Sequence, residues 1–164
     1  AEPASGIVHA LKYEGWAKVA EEIAGRMARL SWPVDVVEER AALVPVPLAS
    51  ARKRQRGYNQ SALIAEALGR EWDVEVWDDL VVRSRETRSQ TQLTPEQRLD
   101  NVAGSFCVRD GHARRLVGAH VVLLDDVVTT AATLNTCARV LYEAGARIIS
   151  YVTFGRARAS GDRL

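Results

Sequence analysis

The sequence has few of the features that define several classes of protein. Its 164 residues include only two cysteines, Cys107 and Cys137, which lie far apart and outside any CxxC pattern. This excludes a disulfide scaffold and a thiolate zinc site built from this sequence alone, and it favours a reducing, cytoplasmic setting. No apolar run approaches the roughly 18 residues of a membrane span, and no signal-peptide pattern opens the sequence, so we expect no membrane insertion.

An excess of charge of either sign is also missing. Lys and Arg total 22 and Asp and Glu total 21, which gives a net charge of +1. Any attraction to nucleic acid would therefore have to come from a local basic patch. Hydrophobic residues make up 47% of the sequence, which is a globular composition with enough apolar surface for a core.

Hydrophobic periodicity predicts strands that alternate with helices. Helical spacing covers residues 16–30, 61–68 and 133–144. Short β-type runs cover residues 41–47, 74–77, 80–82, 104–108, 120–124 and 148–154. This order predicts an α/β fold with a mostly parallel, twisted sheet flanked by helices. Pro45 and Pro47 close the first of these strands and indicate either an edge strand or a strand that ends abruptly in a functional loop.

The segment 121–134 carries the chemistry. Four apolar residues end in Asp125 and Asp126, and a loop rich in threonine then opens onto a helix. In a parallel sheet, ligands bind at the carboxyl ends of the strands. Adjacent carboxylates there can accept hydrogen bonds from the vicinal hydroxyls of a sugar or help to hold Mg²⁺, and helix-start amides favour a phosphate. The combination fits a ribose 5-phosphate group.

Two other interpretations of this segment are weaker. Paired aspartates after a buried strand can hold Mg²⁺ in a P-loop ATPase, but that site needs a GxxxxGK[ST] motif, which the sequence lacks. Alternatively, Asp125 and Asp126 only cap the strand and Thr133 only caps the helix. We favour ligand binding because the two carboxylates and three threonines share one strand–loop–helix unit.

The same segment resembles the signature of type I phosphoribosyltransferases, which bind phosphoribosyl pyrophosphate (PRPP). Other motifs narrow the resemblance to the ComF family of competence-associated proteins. Residues 44–48 (VPVPL) and 56–60 (RGYNQ) look like its VPVP…RGFNQ hallmark, and residues 83–102 look like its R-x-R-x-T…Q…R…N pattern. The resemblance extends over residues 7–156 and implies one type I phosphoribosyltransferase-like domain, followed by a basic tail at 157–164.

The family resemblance implies roles for the two basic segments. Residues 48–59 correspond to the pyrophosphate-binding loop of the fold, and residues 83–92 to the flexible loop that closes over the site. Asp125 and Asp126 are the candidate catalytic residues and the candidate ligands of Mg²⁺. The candidate substrate-binding residues are Val128, Thr129, Thr130, Ala131, Ala132, Thr133, Arg52, Arg56, Gly57, Arg83 and Arg85.

The sequence departs from the family pattern in two places. The PRPP loop of the family usually has Gly where this chain has Ala131, and Gly permits left-handed dihedrals and close approach of a phosphate. Many members also carry an N-terminal four-cysteine zinc ribbon, which nothing in this sequence matches. We expect that ribbon either to precede Ala1 or to be missing from this member.

Two functions follow from the resemblance. The first is binding of PRPP or a ribose phosphate and, if the chain is an enzyme, transfer of the phosphoribosyl group with Mg²⁺-pyrophosphate as leaving group. The second is a non-catalytic sensor, or a component that contacts single-stranded DNA or other proteins in DNA uptake. The basic segments suit a nucleic-acid backbone, but Tyr58 is the only aromatic residue within them, so the signal for DNA is weak.

Overall fold

A parallel sheet forms the centre of the computed structural model, which describes residues 17–48, 57–83, 105–128 and 131–156. The strands, in chain order, are β1 (Arg40–Pro45), β2 (Glu75–Val76), β3 (Val81–Arg83), β4 (Phe106–Val108), β5 (His120–Val128) and β6 (Ile148–Arg156). The parallel sheet has the order β2-β1-β5-β6, and β3 and β4 form a separate antiparallel pair. The predicted mostly parallel sheet is confirmed.

Helices cover both faces of this sheet. They are α1 (Ala17–Ala28), α2 (Val34–Glu39), α3 (Gln60–Trp72) and α4 (Ala132–Glu143), with a short 3₁₀ helix at Ala113–Leu116. The sequence predicted α1, α3 and α4, whereas α2 was not predicted. None of the helices in the described ranges is long and apolar enough to cross a membrane.

Alternation along β5 divides the core into two layers. Val121 and Leu123 pack with the buried face of α4, which includes Leu134 and Cys137. Val122 and its neighbour Leu124 pack on the other face, against buried residues of α1 and α3. Because both faces of the strand are covered, its first half is continuously apolar, as is typical of a parallel sheet.

The first strand of the sheet is interior, so the edge-strand interpretation of its prolines is wrong. β1 lies between β2 and β5, and its last residue, Pro45, pairs with Leu124. The next amide, that of Val46, still donates to the carbonyl oxygen of Leu124 at 2.8 Å. Pro45 is tolerated because it stands at the final position of the strand, which supports the alternative that β1 ends abruptly before a loop.

The end of β1 leaves the second half of β5 with one described neighbour. β5 continues from Asp125 to Val128 and pairs there with β6, up to the pair Val128 and Arg156. The predicted strand 120–124 is therefore too short. The extra residues carry the aspartate pair past the end of β1, at the carboxyl edge of the sheet.

Candidate functional site

Asp125 is held from two directions. Its Oδ1 accepts a hydrogen bond from the Ser61 hydroxyl at 3.0 Å and another from the backbone N–H of Asp126 at 2.9 Å. The adjacent carboxylate is fixed locally, because Oδ1 of Asp126 accepts from the backbone N–H of Val127 at 2.7 Å. Both aspartates therefore have defined orientations before any ligand arrives.

The negative charge of Asp126 acts on Asp125. The pKa of Asp125 is raised from 3.8 to about 7, first by burial and next by the negative charge of Asp126. The hydrogen bonds from the Asp126 amide and the Ser61 hydroxyl lower this pKa but offset only part of the effect. A pair that resists full ionisation is stabilised by a cation or by hydroxyl donors.

An open pocket of about 220 Å³, counting the space at its mouth, adjoins Asp125. Its lining combines the end of β5 with the start of α4. The lining residues are Asp125, Val127, Val128, Ala131, Ala132, Thr133 and Leu134. Carboxylate oxygen and the first turn of a helix thus share one concave surface, as the sequence predicted for this segment.

Among the described residues, no side chain caps the start of α4. Ala131 is the N-cap residue and has no side-chain capping hydrogen bond. The interpretation that Thr133 only caps this helix is therefore wrong, since Thr133 lies within the first turn and lines the pocket. The first amides of a helix have no partner within the helix, and with the helix dipole they attract an anion.

Ala131 has the backbone conformation that glycine would adopt most readily. Its φ is 58° and its ψ is 3°, in the left-handed region. The position at which this chain departs from the family pattern therefore does require a positive φ, which costs an alanine about 1 kcal/mol. Thr129 and Thr130, which precede it and were predicted to bind phosphate, lie outside the described residues.

A side-chain hydrogen bond joins the two ends of the basic segment 48–59. Nδ2 of Asn59 donates to the carbonyl oxygen of Val46 at 3.0 Å, and its Oδ1 caps α3 by accepting from the N–H of Ser61 at 3.2 Å. Gly57 is exposed and has a φ of +79°. Arg52 and Arg56 lie outside the described residues, but the segment that contains them starts and ends beside the aspartate pair.

Arg83 is the last residue of β3 and connects it to the VPVP segment. Its Nε donates to the carbonyl oxygen of Pro47 at 3.2 Å, and its guanidinium lies 4.6 Å from the centre of the Phe106 ring. The side chain therefore stands at the start of the basic segment. Arg85, the other arginine predicted in this region, lies outside the described residues.

Sequence reasoning missed Ser61. The serine follows the RGYNQ motif directly, and it lies 64 residues from Asp125 in the chain. The available signal was topological: α3 follows β1, so its first turn must lie at the same sheet edge as the end of β5. A hydroxyl in that turn could have been considered with the aspartates.

A cysteine nucleophile has no support at this site. Cys137 is buried under the pocket on α4, and its pKa is raised to about 12, first by burial and then by the charge of Asp125. The thiol therefore stays protonated at neutral pH and behaves as a small apolar residue.

The aspartate pair suits Mg²⁺, although it supplies only two side chains. Hard carboxylate oxygens are the ligands that Mg²⁺ prefers, and this ion often combines one or two carboxylates with phosphate oxygens of a substrate. The described ranges contain no group of three or more His, Cys, Asp or Glu residues that could hold a metal. The donor set therefore fits an ion that is bound jointly by Asp125, Asp126 and a phosphorylated ligand.

Comparison with known proteins identifies the family. A family model described as "Phosphoribosyl transferase domain" matches residues 41–163. The "Competence protein F" of Haemophilus influenzae is 34% identical over 118 residues, which cover 72% of this chain and 50% of that protein. The "DNA utilization protein YhgH" of Escherichia coli is 33% identical over 158 residues, which cover 91% of this chain and 65% of that protein. The "Competence protein ComFC" of Bacillus subtilis is 37% identical over 103 residues, 63% of this chain and 39% of that protein.

The chain belongs to the ComF family of phosphoribosyltransferase-like proteins. It spans about half to two thirds of the length of the first two of these curated relatives. The resemblance to ComF proteins that the VPVP, RGYNQ and aspartate motifs indicated is therefore confirmed.

Solved structures support the same fold. The glutamine PRPP amidotransferase from B. subtilis matches with a TM-score of 0.55 at 17% identity, over 82% of this chain and 26% of that chain. A hypoxanthine phosphoribosyltransferase from Staphylococcus aureus matches with a TM-score of 0.50 at 14% identity, over 90% of this chain and 68% of that chain. This ComF chain thus has a type I phosphoribosyltransferase-like α/β fold.

Proposed function

We propose that this ComF chain binds PRPP, or a related ribose 5-phosphate, in the pocket between β5 and α4. One observation carries the proposal: Asp125, the first residue of the aspartate pair, and the first turn of α4 line one open pocket. The carboxylates accept hydrogen bonds from the two ribose hydroxyls. The amides of the first turn, with Thr133 and the preceding Thr129 and Thr130, bind the 5-phosphate.

The pyrophosphate end of the ligand is assigned to Mg²⁺ and to the basic segment. Asp125 and Asp126 would hold the ion, which would neutralise the charge that develops on a departing pyrophosphate. Arg52, Arg56 and Gly57 belong to the segment whose ends Asn59 joins beside the aspartates. Arg83 ends β3, and Arg85 follows two residues later in the chain. Their positive charge favours a ligand with several phosphate oxygens.

Transfer of the phosphoribosyl group is the activity that this arrangement suits. The bond from the ribose C1 to pyrophosphate breaks, pyrophosphate leaves with the electron pair, and C1 forms a bond to an acceptor nucleophile. The chain's own residues contribute mainly by orienting the ribose and stabilising the leaving group. Pyrophosphate release from PRPP, measured across a panel of nitrogen-base acceptors, tests this activity. Acceptor-dependent release supports transfer, and its absence with every acceptor favours the second candidate function.

The second candidate is a non-catalytic role in the use of DNA. The names of the relatives, "Competence protein F" and "DNA utilization protein YhgH", favour it, as does the strained Ala131 in the phosphate-binding turn. In this role the chain senses a ribose phosphate or contacts single-stranded DNA or DNA-uptake proteins. Affinity for single-stranded DNA that falls steeply with salt and does not change with PRPP would support this candidate.

A further inference from the structure

We infer that Ser61 is a specificity-determining residue of this site: by holding the Asp125 carboxylate, its hydroxyl makes the pocket select ribose phosphate over 2-deoxyribose phosphate. This inference rests on the proposed function, because it assumes that Asp125 binds a ribose hydroxyl. Ser61 acts through Asp125 and does not line the pocket. It is therefore a positioning residue.

The environment of Ser61 is rigid and shielded from water. Only 3% of the residue is exposed. Its backbone N–H donates to Oδ1 of Asn59 at 3.2 Å, which fixes the first turn of α3. Its hydroxyl donates to Oδ1 of Asp125 at 3.0 Å. A hydrogen bond to a carboxylate in such surroundings is stronger than one between exposed neutral groups.

The two donors to Asp125 determine which oxygen a ligand meets. Among the described residues, the Ser61 hydroxyl and the Asp126 amide both bind Oδ1. Two donors on one oxygen, from directions set by α3 and by the strand itself, prevent the carboxylate from rotating freely. We assign the other oxygen, Oδ2, to the ligand. Without Ser61, the side chain would be held only by the adjacent Asp126, through its backbone amide and a side-chain hydrogen bond.

An oriented acceptor discriminates between sugars that differ by one hydroxyl. When ribose binds, its vicinal hydroxyls donate to the two carboxylates. When 2-deoxyribose binds, one acceptor loses its partner, and a site built around a hydroxyl rejects an analogue that lacks it. A carboxylate that can rotate away loses less when the hydroxyl is absent, so loss of Ser61 should reduce this discrimination.

Calorimetric titration of Ser61→Ala with three probes tests the inference. The probes are ribose 5-phosphate, 2-deoxyribose 5-phosphate and inorganic phosphate. We expect the ratio of the two sugar-phosphate dissociation constants to fall about tenfold or more, from the usual strength of a hydrogen bond to a charged group, while the affinity for inorganic phosphate is unchanged. An unchanged ratio, or an equal loss of affinity for all three probes, would overturn the inference.

Three further variants make the result specific. Ser150→Ala is the matched control, because Oγ of Ser150 is 2.9 Å from Nε2 of the buried His120, at the other end of the sheet; it should leave the ratio unchanged. Ser61→Cys, which replaces the hydroxyl with a weak thiol donor, is used if Ser61→Ala does not fold, and an unchanged ratio in Ser61→Cys would overturn the inference. In an Asp125→Ala background, Ser61→Ala should have no further effect on the ratio, and a full additional loss would contradict action through Asp125.

The failure of this inference can be told from failure of the proposed function. If the unaltered protein binds neither ribose 5-phosphate nor PRPP, the pocket assignment itself is wrong. If the unaltered protein binds ribose 5-phosphate and prefers it to the deoxy sugar, but Ser61→Ala keeps that preference, only the role of Ser61 is wrong.

Discussion

The amide of Asn59 donates from Nδ2 to the carbonyl oxygen of Val46 at 3.0 Å. These two residues flank the basic segment, so one hydrogen bond joins the end of β1 to the start of α3. The same side chain caps α3 by accepting from the N–H of Ser61, and Ser61 in turn donates to Asp125. A chain of side-chain contacts thus connects the basic segment to the aspartate pair.

The two roles of Asn59 can be separated by substitution. Asn59→Ala removes both the cap and the contact with Val46, and we expect a loss of about 1 kcal/mol in the free energy of unfolding together with weaker PRPP binding. Asn59→Ser retains a capping oxygen but cannot reach Val46. It should unfold with nearly the original free energy and still bind PRPP less tightly. Denaturant titration and calorimetry measure the two effects, and full PRPP affinity in Asn59→Ser would show that the contact does not position the segment.

Ala131→Gly should stabilise the protein. Ala131 has a φ of 58°, and relief of this conformation is worth about 1 kcal/mol, more than the added flexibility that Gly gives to the unfolded chain. Ala138→Gly, in the middle of the same helix, is the matched control and should instead destabilise by about 1 kcal/mol. Thermal or denaturant unfolding gives both values. If Ala131→Gly and Ala138→Gly lowered the free energy of unfolding by similar amounts, Ala131 would not be strained.

The raised pKa of Asp125 predicts a particular dependence of stability on pH. Because the pKa is about 7 in the folded protein and 3.8 is its usual value, the folded state binds this proton more tightly than the unfolded state. The contribution of this proton to the free energy of unfolding is fully present below pH 3.8. It decreases by up to about 1.4 kcal/mol per pH unit as the pH rises, and it is lost once the pH has passed about 7. Asp125→Asn should remove this loss.

The measurement is the free energy of unfolding between pH 4 and pH 8 in ligand-free buffer that contains a chelator. The difference between Asp125→Asn and the unaltered protein should grow in favour of the variant across this range. Asp78→Asn, at an exposed position, provides the control. Parallel curves for all three proteins would contradict the assigned pKa.

The assignment of the basic segment to pyrophosphate predicts that Arg56 contributes to the binding of PRPP but not to that of ribose 5-phosphate. Arg56→Ala should weaken PRPP binding about tenfold or more while ribose 5-phosphate binding changes little, because only PRPP carries a pyrophosphate for the guanidinium to neutralise. Arg70→Ala removes an exposed arginine at the far end of α3 and should affect neither ligand. Equal losses for both ligands in Arg56→Ala would place this side chain elsewhere.

The parts of the fold that the sequence predicted are those that periodicity and composition determine locally. The short apolar run at 121–124 predicted a buried strand, and Asp125 and Asp126 after it indicated a ligand site at the sheet edge. The six-residue helix α2 escaped prediction because it is too short for a clear period and buries only Val36. It also begins after Pro33 without a side-chain cap.

Other features depend on contacts between distant segments. The extension of β5 to Val128 is produced by pairing with β6, and polar residues there gave no strand pattern. The interior position of β1 depends on its register with β5, which ends where Pro45 meets Leu124. The contact of Ser61 with Asp125 joins residues 64 positions apart, so no local motif contains both. Each of these three arrangements follows from the order and pairing of the strands, which the sequence alone does not give.

The most direct test of the ribose-phosphate site is calorimetric titration of PRPP with Mg²⁺ into the unaltered protein and into the double variant Asp125→Asn, Asp126→Asn. These substitutions retain side-chain volume and remove both negative charges, so the fold should persist, as near-unchanged circular dichroism would verify. Saturable binding to the unaltered protein and at least a hundredfold weaker binding to the variant are expected. Equal affinity in the two proteins would contradict the assignment of the aspartate pair as the ribose-binding site.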